Sequence, residues 1–346
     1  MTCIRIRSFS QLTPLVDRGG TVWGFLAAVV LLLATGASAS ATNLLYVSLD
    51  SSRIVTYDVE GSDGTAIAAT RSLFTVTSGV PYGIAFDRSG TLFASIAFSN
   101  IISRYDAAGT HLSDISSLSL VQPNGLAFDR QGNLYAANTA GNTISKFDAS
   151  GTYLATIGSV ATLSQPYGVA VDASGFLYAS SGLRTTSFIS AFDPSGAYSA
   201  DHSIGSDHLD APIGMVFDAA GNLRVANYNA STLSTFSAAG TFTGTISGNL
   251  TLPYGLAKDR EGNLYAMNFG NVSISKFDPS GTFITSWALG PGGSPIWGTF
   301  RVESVPEIDP ASSGSVLGLL LGCLWIVERR CLRMERCLRM ERCRIG

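Results

Sequence analysis

The chain has 346 residues, 46% of them hydrophobic and 14% charged, with 22 Lys and Arg against 25 Asp and Glu for a formal net charge of −3. Residues 42 to 305 are more acidic, 12 Lys and Arg against 19 Asp and Glu, or −7, and no basic stripe interrupts them. An acidic chain without a cationic track binds nucleic acid poorly, so that class of partner is excluded.

Residues 1–39 read as a secretory signal peptide with a long leader. Arg5, Arg7 and Arg18 precede the apolar run Trp23 to Leu33, and Ala37-Ser38-Ala39 supplies small residues for cleavage. The run is short for a bilayer span. The chain beyond it is expected to begin partway through a repeat unit, with strands over Asn43 to Leu49, Arg53 to Asp58 and Ser72 to Thr77.

From there a unit of about 42 residues recurs. Its marker Pro-x-Gly stands at Pro81, Pro123, Pro166, Pro212 and Pro253, and a sixth, Pro295-Ile296-Trp297-Gly298, reads as stretched by one residue; the steps are 42, 43, 46, 41 and 42. Each unit holds four short runs rich in Tyr, Phe, Ile, Val and Thr, such as GLAFD, NLYAAN, TISKF and TYLATI, which predict strands. Asp-x-x-Gly separates first from second strands (Asp87, Asp129, Asp172, Asp218, Asp259) and third from fourth (Asp106, Asp148, Asp193, Asp278). These aspartates read as hairpin parts, the carboxylate accepting from nearby backbone N–H groups and the glycine closing the turn.

Successive apolar residues within antiparallel strands require cover on both sheet faces, which radially stacked blades provide. The fold class expected is all-β, a six-bladed β-propeller over residues 42–303. Its closing blade is shared between the first strands and Pro295 to Val302, with terminal signal and membrane helices outside it.

The pattern P-x-G-h-A-x-D-x-x-G-N-L-Y-x-x-N…G-N…I-x-x-F-D-x-x-G, where h is hydrophobic, resembles the NHL repeat. That resemblance implies a propeller used more often for binding than for chemistry. Asn138, Asn227 and Asn268 stand where such repeats often carry Asp, and Arg224 and Lys258 interrupt apolar strands.

Connections in such a propeller alternate between two rims. The Pro-x-Gly segments and the loops between second and third strands share one, where Tyr82, Asn124, Asn138, Tyr167, Asn227, Tyr254, Asn268 and Trp297 are the candidate ligand residues, with Asn142, Asn229 and Asn271 nearby. Aromatic faces beside neutral amides suit a surface glycan or an envelope protein. The alternative is an enzyme, since some six-bladed relatives are antibiotic lyases or metal-dependent lactonases. Those reactions need a general base or a metal set at the channel mouth. Only His111, His202 and His208 are offered. His111 belongs to a fourth strand, while Asp201-His202 and Asp207-His208-Leu209-Asp210 fall in an extended loop, with His208, Asp207 and Asp210 weak metal candidates. No cofactor is expected, and no nucleophile elbow or phosphate-binding glycine loop is present in the sequence.

After Val302 come a linker with the motif Val305-Pro306-Glu307 (304–311), an uncharged apolar stretch (312–327) and an arginine-rich tail (328–346). This order resembles a PEP-CTERM sorting signal, with Pro-Glu-Ile-Asp-Pro in place of Pro-Glu-Pro. The resemblance implies an exosortase as partner and at least transient anchoring through the apolar helix. The basic flank would remain cytoplasmic, leaving the propeller exported to the cell envelope or the extracellular matrix. Cys3, Cys323, Cys331, Cys337 and Cys343 all lie outside the repeats, so ring closure is expected to rest on strand pairing alone. Truncation before Pro295 is therefore expected to lower the thermal midpoint of the chain and cause association through the exposed strand edges, far beyond the effect of removing a loop of similar length; unchanged melting and an unchanged elution volume would contradict a shared closing blade.

Overall fold

The structure, a computed structural model, describes residues 44–301 apart from 61–65, 77, 107, 182–186, 206 and 290–292. The signal segment, the sorting motif Val305-Pro306-Glu307, the apolar stretch 312–327 and the tail lie outside the described residues. Among those described, the chain forms six antiparallel four-stranded sheets, each following strand order in sequence except one. Blades 1 to 5 begin with inner strands at Pro81–Phe86, Pro123–Phe128, Pro166–Val171, Pro212–Phe217 and Pro253–Lys258. The sixth joins Pro295–Arg301, as its inner strand, to Leu44–Leu49, Arg53–Glu60 and Ala66–Thr75. Leu44 pairs with Arg301 and Tyr46 with Thr299, so the last strand closes the ring on the first. The hairpin of blade 6 is longer than the sequence suggests, its third and fourth strands reaching Glu60 and back from Ala66.

The hairpin chemistry follows the repeat. The Asp129 Oδ1 accepts from the Gln131 N–H at 2.9 Å and the Asn133 N–H at 2.8 Å, while Gly132, at φ 88°, donates its N–H to the Asp129 carbonyl at 3.1 Å. The other oxygen, Oδ2, takes the Asn133 side chain at 2.7 Å and the Tyr135 hydroxyl at 3.1 Å. Blade 5 repeats this with Asp259, Asn263 and Tyr265. In blade 4 Arg224 replaces the tyrosine, and its guanidinium lies 3.6 Å from Asp218 Oδ2 and bonds Thr235 Oγ1 at 2.8 Å. Arg224 thus takes over the tyrosine's reach to the hairpin, and its partner on the third strand is Thr235 where blades 2 and 5 place Lys146 and Lys276 over the tyrosine ring.

Between blades, the marker glycine sets the approach. A Cβ on Gly125, Gly214 or Gly255 would lie 2.6 Å from the carbonyl oxygen of Tyr167, Tyr254 or Ile296 in the next blade, and one on Gly83 or Gly168 would overlap the carbonyl of Asn124 or Ile213. Register corrects the reading of the sixth marker. The Trp297 N–H donates to Ser48 Oγ at 3.1 Å as the Gly83 N–H donates to Ser95 Oγ at 2.9 Å, and Ser48 bonds the Tyr82 carbonyl as Ser95 bonds that of Asn124. Pro295-Ile296-Trp297 is therefore in step with Pro81-Tyr82-Gly83; nothing is inserted, and glycine and bulky residue have exchanged places.

Gly298 consequently occupies the position of Ile84, Leu126, Val169, Met215 and Leu256. The vacated space is filled from blade 5, because a Cβ on Gly298 would overlap Met267 Cε. Met267 is fully buried, at the position held by Ser95, Ala137, Ser180 and Ala226 in other blades. Each seam thus pairs one large with one small side chain, and the blade 5 to 6 seam reverses which strand carries which.

Two measurements test these contacts. In equilibrium urea unfolding, Met267→Ala should cost about 2–5 kcal/mol through the cavity it leaves and Gly298→Leu about 1–3 kcal/mol through overpacking, whereas the double variant, restoring the Ala and Leu pairing of another seam, should recover more than half of the summed loss; additive costs would refute the exchange. The second concerns acid. The Ser150 hydroxyl and the Thr152 N–H hold the Asp148 carboxyl below its ordinary value, and backbone donors at Thr110 and Ala108 do the same for Asp106. A carboxyl that titrates lower in the fold contributes stability that is complete above the unfolded value, about 3.9, and is lost as pH falls through the folded value. The thermal midpoint should accordingly drop on acidification below about pH 4, less steeply in Asp148→Asn than in the parent, and a midpoint that rises with acid would oppose the assignment.

Candidate functional site

Six residues, one per blade, follow the marker prolines and meet near the axis: Tyr82, Asn124, Tyr167, Ile213, Tyr254 and Ile296. Tyrosine occupies alternate blades. Bulk in every second place lets three phenols converge without six side chains colliding. Tyr167 and Tyr254 meet edge to face with centroids 6.3 Å apart, and Tyr228 closes on Tyr254 at 5.9 Å. Burial, and then the neighbouring Tyr167, Tyr82 and Tyr228 phenols, push the Tyr254 hydroxyl well above the ordinary phenol range. Burial raises the Tyr82 hydroxyl as well, so Tyr82 and Tyr254 stay protonated and neutral at physiological pH.

The amides named from sequence are placed differently. Asn138, Asn227 and Asn268 are buried at the ends of second strands and face inward rather than toward a ligand. The Asn138 Nδ2 donates to Thr143 Oγ1 at 3.2 Å and Ser145 Oγ at 2.8 Å, while its Oδ1 accepts from the Val121 N–H at 3.1 Å. Asn227 bonds Thr232, Ser234 and the Asp210 N–H, and Asn268 bonds Ser273, Ser275 and the Thr251 N–H, in the same pattern. Each amide fastens two strands of its blade to the connection that precedes it. Asn142 accepts from the Gln165 N–H at 2.7 Å and so clasps the next blade. Asn271 accepts from the Ser273 hydroxyl within its own loop. Asn124 is buried, its Nδ2 donating to Thr139 Oγ1 at 2.9 Å and its Oδ1 without a partner among the described residues. Trp297 is also buried, packed with Tyr46, Ile84 and Ile213 in the core rather than standing at the rim.

The histidines do not gather. His111, in the outer strand of blade 1, is 2.8 Å from Asp114. Asp201 and His202 belong to the strand Tyr198–Ile204, which corrects their placement in a loop, and the His202 ring stacks on Phe176 at 4.1 Å. His208 stacks on Phe242 at 3.6 Å, and its carbonyl accepts from Ser234 Oγ at 2.6 Å. Asp210 takes the Asn229 side chain at 3.2 Å. Among the described residues no three His, Cys, Asp or Glu side chains are grouped as a metal ion would need, Asp207 and Asp210 beside His208 included.

Sequence reasoning missed what this rim exposes. Phe98, in the short 3-10 turn Ala97–Ser99, is 73% exposed, Leu118 and Val160 are more so, and Val121 stands partly clear beside Leu118. All four belong to connections on the Pro-x-Gly rim over blades 1 to 3, and the Phe98 ring meets Tyr82 edge to face at 6.1 Å. The available signal was the composition of these loops, AFSN and SLSLVQ, in which apolar residues replace the usual turn formers.

No family model matches the chain, and no curated protein matches it in sequence. Solved structures do share its fold. The chain is similar to a propeller in a nidogen and laminin complex, at 19% identity and a TM-score of 0.65, covering 76% of this chain and 99% of that one. It is also similar to virginiamycin B lyase from Staphylococcus aureus, at 12% identity and a TM-score of 0.52, covering 73% and 86% of the two chains. A gluconolactonase of Xanthomonas campestris aligns at 20% identity and a TM-score of 0.52, over 61% of this chain and 76% of that one. At such identities the likeness carries the architecture: the chain is an all-β, six-bladed propeller.

Proposed function

We propose that the chain is a non-enzymatic binding propeller that engages a protein partner at the cell envelope or its surrounding polysaccharide matrix through the Pro-x-Gly rim. The observation that carries this reading is the arc of exposed apolar side chains, Phe98, Leu118, Val121 and Val160, on a single rim. Exposed apolar side chains in several connections of one rim, where turn formers would be usual, suit a surface that a partner covers. Aliphatic side chains suit a protein surface better than sugar hydroxyls, and the amides that would bond a glycan are already engaged within the blades. A propeller in the nidogen and laminin complex supports the same use of the architecture. The lyase or lactonase alternative, favoured by the lyase and gluconolactonase neighbours, lacks support from the histidines, each of which is engaged by a nearby side chain.

Export by the N-terminal signal, recognition of Val305-Pro306-Glu307 by an exosortase and anchoring through residues 312–327 complete the proposal. The described chain ends at Arg301 on the hairpin rim, next to Gly90.

The test is retention of envelope proteins and of matrix polysaccharide on the immobilised full chain. Envelope protein should be retained by the parent chain and lost from the triple variant Phe98→Ser, Leu118→Ser, Val160→Ser, whose thermal midpoint should stay within a few degrees because all three side chains are exposed. Equal retention by both, or retention of polysaccharide alone, would overturn this assignment.

A further inference from the structure

Beneath the ring of phenols the inner strands enclose an axial cavity of about 510 Å³, within the range of small-molecule sites. Its walls come from the residues after each marker, among them Leu126, Val169, Met215 and Trp297, and it extends to the hairpin side at Lys258, Asp259 and Arg260. This is the rim opposite the surface proposed above, so the two sites are independent.

Lys258 is the anomaly in this wall. The corresponding positions in the other blades are Phe86, Phe128, Val171, Phe217 and Phe300. Four of those five make an edge-on or tilted contact with an aromatic ring of the preceding blade: Phe86 with Tyr46 at 4.8 Å, Phe128 with Phe93 at 5.1 Å, Phe217 with Tyr178 at 5.1 Å and Phe300 with Tyr265 at 4.8 Å. At the seam between blades 4 and 5 both members are cations, Lys258 taking the phenylalanine position and Arg224 the aromatic one. Arg224 spends its two terminal nitrogens on Asp218, Thr235 and the Pro279 carbonyl, and its Nε is buried without a partner. Lys258 is half-buried and makes no hydrogen bond or ion pair with a described residue. The neighbouring Asp259 turns its carboxylate to Asn263 and Tyr265 and makes no direct pair with Lys258.

Lys258 forgoes the aromatic contact that four other blades make at this position and holds its ammonium at the cavity mouth without a hydrogen-bonded anion among the described residues. From this we infer that the axial cavity binds a small amphiphilic carboxylate, its apolar body against Leu126, Val169, Met215 and Trp297 and its carboxylate on Lys258 at the hairpin mouth. Arg260, exposed at the same mouth, adds a second positive charge for capture in a domain that is acidic as a whole.

Equilibrium dialysis of the full chain against 4-phenylbutyrate and its uncharged amide, with a detergent blank, tests the assignment. The acid should bind saturably, the amide more weakly, and Lys258→Met should lose about tenfold or more in affinity for the acid while Lys258→Arg retains it. Lys258→Met should fold normally, as five blades carry an apolar residue there. A second readout needs no variant: bound acid should slow acylation of Lys258 by an N-hydroxysuccinimide ester, read by peptide mass spectrometry, and leave Lys146 unaffected. Equal binding of acid and amide, undiminished binding by Lys258→Met, unprotected Lys258 or the lack of saturable binding would each overturn it.

Discussion

Five of the six backbones approach the following blade with side-chain bulk withheld at the point of closest contact, and Trp297 stands at the sixth. The marker glycines make that approach, each lying against a carbonyl of the following blade so closely that a single added carbon would collide with it. Serines at the ends of second strands then use the proximity. Ser48, Ser95 and Ser180 each receive an N–H from their own blade and donate to the neighbour's carbonyl, so polar groups forced together at the axis are satisfied rather than stranded. The phenol ring at the axis and the hairpins further out are both positioned by that spacing.

The seams show how such a constraint is met with varied residues. Bulk is fixed per seam and not per strand, so Met267 and Gly298 together do what Ala226 and Leu256 do elsewhere. The same holds for charge and aromaticity on the second strand, where Arg224 reaches the hairpin aspartate that Tyr135 and Tyr265 reach in blades 2 and 5. A substitution in one strand is legible only beside its partner across the seam.

That rule explains what was readable in the chain. Blade number, hairpin chemistry and the shared closing blade were legible because they depend on local signals repeated many times: a proline, a glycine, an aspartate two and four residues before the groups it bonds. The sixth marker was misread because Pro295-Ile296-Trp297-Gly298 invites alignment on its glycine, and the clue to the true register, a methionine at position 267 among serines and alanines, lies in another blade. Asn138, Asn227 and Asn268 look like surface loop residues in sequence. They are interior because the third strand sets serine two residues in from its start, at Ser145, Ser234 and Ser275, and an amide next to those hydroxyls closes a network with no access to solvent. The exposed arc at Phe98, Leu118 and Val160 carries no repeat signature, so periodicity passes over it.

The pairing of Leu44 with Arg301 has a mechanical consequence. Any pull that reaches the propeller through residue 302 arrives at the innermost strand, at the end where its ladder with Leu44–Leu49 begins. A pull along the propeller axis from that point runs parallel to the strand, so the bonds to Leu44–Leu49 are strained together rather than one pair at a time. The side chains that seat the strand, Trp297 in its core cluster and Met267 over Gly298, share the load. The most irregular pair of side chains in the ring thus belongs to the one strand that would carry it.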